Sequence, residues 1–423
     1  MALAGAFIGG AKGRLLPASV PFRFFGAAVV FHLLAWLALA AGAAQFPGFA
    51  GGPGWPLAAL HLVTLGVLAM TAMGAGAQLL PVATRQPAPG GRALVALWWL
   101  YVPSVAAVAL GMGWPRPAWL MAGAVGAALA LACWGVLIAR HLVGARGMPG
   151  VVLHGWGSLA ALAAALAGAG VVVAAWNGFE VPAPDTWLAL HRLLAPFGFM
   201  GLLALGLAYI LVPMFALAHG PAERRQLAAG GAALAALALA SAAAFGLAPA
   251  LLQLAAWACG VAAVALHLRL MASALRTGVR RELGRSFVLV KAGWGALVLA
   301  LLLALPLAAG RTAPILAPLF GLVVVGGWLL SFLLGMLERI VPFLAAMHGS
   351  GGRRGLTPSA LTHEGALRWH LGCHFGALAL LALSLATDSA ALALAGAVVG
   401  AVGAVAFGVF FVVLLRRLRA AAA

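Results

Sequence analysis

Residues 60–83 read LHLVTLGVLAMTAMGAGAQLLPVA. The chain says nearly the same thing twice more, as LHRLLAPFGFMGLLALGLAYILVPMF over 190–215 and LFGLVVVGGWLLSFLLGMLERIVPF over 319–343. Each is an apolar run long enough to cross a bilayer as a helix, and each ends in a related phrase around Pro81, Pro213 or Pro342. Counting back seven residues from each proline gives Gly74, Gly206 and Gly335; counting back fifteen gives Gly66, Gly198 and Gly327. Glycine is 56 of 423 residues, so one match means little, but six in register mark a repeat. Small residues there also suit close helix packing. A proline at the end of a span acts as a helix terminator.

Working outward, apolar runs bounded by Pro, Gly and charge fall near 22–44, 57–81, 92–113, 117–139, 151–175, 187–213, 226–246, 248–274, 286–309, 313–342, 365–386 and 389–415. The three related phrases lie in spans 2, 6 and 10, each four spans after the last. The expected architecture is an all-α integral membrane protein, one domain over 1–423. Its twelve transmembrane helices form three pseudo-threefold four-helix arcs, built around 57–81, 187–213 and 313–342. Composition agrees: 65% of residues are hydrophobic and 8% charged, against about 25% charged in soluble domains. A water-soluble enzyme is excluded. Outer-membrane strands are excluded too, because alternating ten-residue segments are absent.

The formal charge of +18 comes from 25 Lys+Arg against 7 Asp+Glu. With both termini cytoplasmic, 22 of the 25 basic residues fall inside, leaving Arg116, Arg192 and Arg311 outside. That split is the positive-inside pattern of a multi-pass protein in a bacterial-type inner membrane. Lys12 and Arg14 precede a long first span without a cleavage site, so it is read as a true span. No basic cluster is interleaved with aromatics, so nucleic acid is not an expected partner. Cys133, Cys259 and Cys373 sit apart inside apolar runs, as buried small hydrophobes.

Eleven histidines are many for so apolar a chain. His141, His154, His219, His267, His348 and His363 fall in inner loops or at span ends, as interfacial side chains. His61 and His191 lie a turn inside spans 2 and 6 from the outer face. His32 and His374 lie near mid-bilayer, and His370 shares a face with His374 one turn away. A neutral imidazole in hydrocarbon needs a partner, either a ligand or a hydrogen bond to a neighbouring helix. With no second soft ligand at helical spacing, a planar cofactor held by imidazoles from facing helices fits better than a free ion. Glu338, beside Arg339, is the main intramembrane carboxylate and is read as a structural ion pair.

These three segments and the twelve-span count resemble the core of the haem–copper oxidase subunit I superfamily. The phrase PFRFF at 21–25 and the His61-to-Gly66 spacing are similar to the NnrS proteins, haem- and copper-containing membrane proteins linked to nitric-oxide stress. The resemblance implies haem b, with copper as a second cofactor, and a periplasmic or membrane electron carrier as partner. It places His61 at the second-span haem ligand and His191 at the sixth-span copper ligand. It gathers His32, His61, His370 and His374 in one arc of spans 11, 12, 1 and 2, with His32 and His374 at equal depth. It makes Arg192 a clamp for a haem propionate, the alternative being a snorkelling interfacial Arg. The departures are specific. Span 7 has no His-His pair, span 10 has no His-x-His, and Phe320 stands where a third-unit counterpart of His191 would fall. The expected function is therefore electron transfer, gas binding or nitric-oxide stress response without the usual dioxygen-reducing centre. The alternatives are a permease for a metal or haem, and a cofactor-free assembly protein.

Overall fold

The computed structural model describes residues 16–280, 282–311, 313–349 and 356–422. Of the basic residues assigned to the inner side, Lys12, Arg14, Arg281, Arg353 and Arg354 lie outside that set. Twelve helices are long and apolar enough to cross a membrane: α1 (Ser19–Ala41), α2 (Trp55–Thr84), α3 (Gly91–Gly113), α4 (Pro117–Val143), α5 (Pro149–Trp176), α6 (Pro184–Ala216), α7 (Glu223–Ala244), α8 (Pro249–Thr277), α9 (Ser286–Ala308), α10 (Leu316–His348), α11 (Glu364–Thr387) and α12 (Ala390–Ala420). They fall where the apolar runs predict.

Consecutive helices pack side by side around a ring that closes with α12 against α1. The tightest hairpins are α3–α4, α7–α8 and α11–α12, one for every four helices. Helices α2, α6 and α10 stand inside. They are buried over 72, 89 and 61% of their most apolar stretch, and no other helix exceeds 50%.

The repeated glycines explain how an inner helix meets its neighbour. A methyl group added at Gly66 would come 2.7 Å from Phe31, and one at Gly74 would come 2.8 Å from Phe24, both on α1. Gly198 and Gly206 meet Ala161 and His154 on α5 in the same way, and Gly327 and Gly335 meet Ala296 and Leu289 on α9. On α1 and α5 the two nearest contacts are seven residues apart; on α9 Gly335 lies closest to the Ser286 carbonyl, with Val290 and Leu289 beside it, so each inner helix approaches its neighbour at the same two glycines.

The three inner helices share a feature that the sequence does not announce. Each contains eight residues of π-helix, Leu62–Ala69, Leu194–Gly201 and Val323–Leu330, each starting nineteen residues before its proline. Gly66, Gly198 and Gly327 are the fifth residue of each. A widened turn frees backbone groups that need other partners. Accordingly Tyr101 donates to the Leu65 carbonyl at 3.1 Å, Ser158 to Phe199 at 2.8 Å and Ser331 to Gly326 at 3.0 Å.

The prolines do not terminate their helices. Each lies inside the final turns, and Arg85 and Leu217, four residues beyond Pro81 and Pro213, close α2 and α6 with φ of 57° and 53°. The cysteines are not core residues: Cys133 is exposed, and Cys259 and Cys373 are partly so.

Candidate imidazole centre

His61 ends the first segment of α2, directly before its π turn, and His191 stands three residues before the π turn of α6. The two rings are parallel to within 5°, with centroids 6.4 Å apart. His61 Nδ1 lies 3.1 Å from the Leu57 carbonyl, and His191 Nδ1 lies 3.0 Å from the Ala165 carbonyl of α5. A carbonyl only accepts, so each Nδ1 carries the proton and each Nε2 keeps its lone pair. This is the tautomer-fixing arrangement of metal-binding histidines. With a metal–nitrogen bond of about 2.0–2.1 Å and a ring radius of roughly 1.1 Å, two imidazoles in trans on one ion have centroids about 6.3 Å apart. The observed centroid separation, 6.4 Å, is of that size.

Sequence reasoning gave these two histidines to separate metals; the structure brings them together. Among the described residues, no group of three or more His, Cys, Asp or Glu is placed to hold a metal ion. A structural zinc site needs four such ligands. A haem iron needs only an axial pair, and copper(I) accepts two imidazoles. Two imidazole nitrogens are a donor set that haem iron or copper(I) can use. Arg192 is exposed, and its guanidinium lies 3.1 Å from where a side chain at Gly51 would begin, in the α1–α2 loop.

The expected arc of four histidines is not assembled. His61 belongs with His191, while His32, His370 and His374 form a second group between α1, α10 and α11. His32 neighbours His370, not its equal-depth counterpart His374, with ring centroids 6.1 Å apart; His370 and His374 are 6.0 Å apart. That arc is filled by side chains. Phe31, Phe24 and Trp36 of α1 occupy the slots opened by Gly66, Gly74 and Gly400, and Phe407 lies 4.9 Å from His370.

Glu338 and Arg339 are not ion-paired with each other. Glu338 Oε1 is 3.0 Å from His370 Nδ1, and Arg339 donates to Ser286 Oγ at 2.7 Å and to the Leu283 carbonyl. His154 and His267, expected at the interface, are buried to 1% and 0% exposure. They flank Tyr209, with ring centroids 5.4 and 5.2 Å away. The signal for them was available: α5 begins at Pro149 and α8 runs to Thr277, so both sit more than a turn inside. His363 caps α11 by accepting from the Ala366 N–H, and His348 contacts the Leu16 and Leu344 carbonyls.

No family model and no curated protein matches this chain. A solved structure does. The chain is similar to a heme-copper terminal oxidase, determined as a dimer by cryo-EM, with a TM-score of 0.63 over 96% of this chain and 84% of that one. Sequence identity is 11%, so the likeness is one of fold.

Proposed function

We propose that the protein is a membrane redox protein built on the oxidase-like fold, holding one haem b iron or one copper ion between His61 and His191, without a dioxygen-reducing centre. The observation that carries this reading is the pair itself: parallel rings 6.4 Å apart, each with its Nδ1 on a backbone carbonyl. An ion bound there would supply one-electron exchange, and copper held by two imidazoles would keep an open position for a small gas such as nitric oxide. The chain's own part is orientation. The Leu57 and Ala165 carbonyls fix both rings, and α2 and α6 deliver them from two different repeat units. Arg192, next to His191, is placed to pair with a carboxylate such as a haem propionate.

The job that follows is electron transfer or gas binding, with protection against nitrosative stress as its physiological form and an electron carrier as partner. The permease reading is less well supported, since transporter repeats are commonly inverted while these three share one direction. The test is optical and elemental. Protein produced with ample haem, and separately loaded with copper, should show a Soret band or bind one copper per chain. Absence of both would overturn the reading.

A further inference from the structure

The α11–α12 hairpin carries a trough on its outward side. Trp369, Gly372 and Gly376 follow one another at spacings of three and four, so they share one face of α11. Gly372 leaves that face open, since a methyl group there would have nothing within 4 Å. A methyl group at Gly403 would come 2.8 Å from Cys373 Cβ, so α12 closes directly on α11 beside it; one at Gly376 would touch Val399 at 3.6 Å. The trough has a volume of about 440 Å³ and is lined by Arg368, Trp369, Gly372, Cys373 and Val399. Clefts that hold small ligands span roughly 300–1,000 Å³. Trp369 is 69% exposed and forms the rim.

The trough is apolar along its length and cationic at one end. Arg368 lies one turn inside the start of α11 and is exposed. Among the described residues it has no ion-pair partner: Glu364, one turn before it, is taken by Arg285 at 2.6 Å, and Glu338 faces His370 at 3.0 Å. Arg417, near the end of α12, donates to the Ala360 and Thr362 carbonyls at 3.0 and 2.9 Å, which ties that end to the segment leading into α11. Arg416 and Arg419 are exposed on the same end. Four arginines thus stand at the basic end of the hairpin against one acid, and that acid is already paired. A snorkelling arginine and an interfacial tryptophan alone would suit any lipid. The trough adds a slot for a hydrocarbon chain, and the unpaired guanidinium adds a preference for charge. Guanidinium groups bind phosphate through charge-assisted hydrogen bonds, and basic clusters at the cytoplasmic ends of spans attract anionic lipids.

We propose that this trough is a binding site for one anionic phospholipid, its phosphate on Arg368 and one acyl chain along Trp369, Gly372, Cys373 and Val399. The site belongs to α11 and α12 and is independent of the imidazole pair, which α2 and α6 hold.

Trp369 reports occupancy by quenching. Full-length protein in phosphatidylcholine vesicles is titrated with phosphatidylglycerol brominated on its acyl chains and, in parallel, with phosphatidylcholine brominated in the same way. The chain has 14 tryptophans, so the Trp369 signal is the difference between wild type and Trp369→Phe. The expected result is that the brominated anionic lipid quenches that signal at about fivefold lower mole fraction than the zwitterionic one, the factor for one arginine at a charged lipid surface. Arg368→Gln should remove the preference and leave quenching by the zwitterionic lipid unchanged, and excess inorganic phosphate should not reverse it. Equal quenching by the two lipids, a preference that survives Arg368→Gln, or displacement by inorganic phosphate would overturn the proposal. Quenching by neither lipid, with a Cys373–Cys373 cross-link between chains, would overturn it too and give the trough to a second copy of the protein. Both substituted side chains are exposed, so the variants should fold. If one does not, native mass spectrometry of the wild type decides: one phosphatidylglycerol retained through delipidation supports the site, and none retained overturns it.

Discussion

At the scale of single residues, the histidines divide by what the sequence could express. Depth along a span is countable, so His61, His191, His32, His370 and His374 stood out in hydrocarbon. Which ring faces which is a matter of helix rotation and tertiary packing, and no count along the chain supplies it. His154 and His267 were misplaced because both lie near the inner ends of their spans, and position along a helix does not show that their rings turn into the bundle. The glycines were legible as a register, and their purpose became visible only with α1, α5 and α9 beside them. Gly66→Ala should cost about 1–3 kcal/mol through overpacking, because the new methyl meets Phe31 at 2.7 Å. Gly170→Ala has nothing within 4 Å and should be neutral or stabilising by about 0.5–1 kcal/mol. Thermal unfolding of the two variants in detergent checks the contrast.

At the scale of the helix, the π segments set the rotation of the outer thirds of α2, α6 and α10 relative to the inner thirds. Sequence could not reveal them, because hydrophobic runs without a polar face carry no periodicity to shift. The only trace was a glycine at the fifth position. Deleting one residue of Leu62–Ala69, for example Val63, should restore regular α geometry and leave His61 on nearly the same face, because the widened turn absorbs one extra residue. That variant should keep its helical circular dichroism and its bound metal, where a deletion within a wholly α segment would turn the ring by about 100°, the angle of one residue at 3.6 per turn. If it loses metal as completely as His61→Ala, the π turn itself aims the ligand.

At the scale of the whole molecule, twelve crossings place the two ends on one side, and the basic residues predict that side to be the cytoplasm. Single cysteines introduced near residue 360 and near residue 50 should react with an impermeant reagent from opposite faces. Labelling of both from one face would break the topology. A centre held by α2 and α6 also ties two repeat units together, so it should stabilise the bundle as any native-state ligand does, by about 2.7 kcal/mol at a hundredfold excess over its Kd. Removing the metal should therefore lower Tm in the wild type and leave a His61→Ala/His191→Ala variant unchanged. The most direct measurement is metal stoichiometry, for haem and for copper, across single alanine variants of His61, His191, His32, His370 and His374. A shared ion predicts that His61→Ala and His191→Ala each abolish tight binding, while the three mid-membrane variants keep one metal per chain. Loss confined to His32, His370 or His374, or full binding in either outer variant, would contradict it.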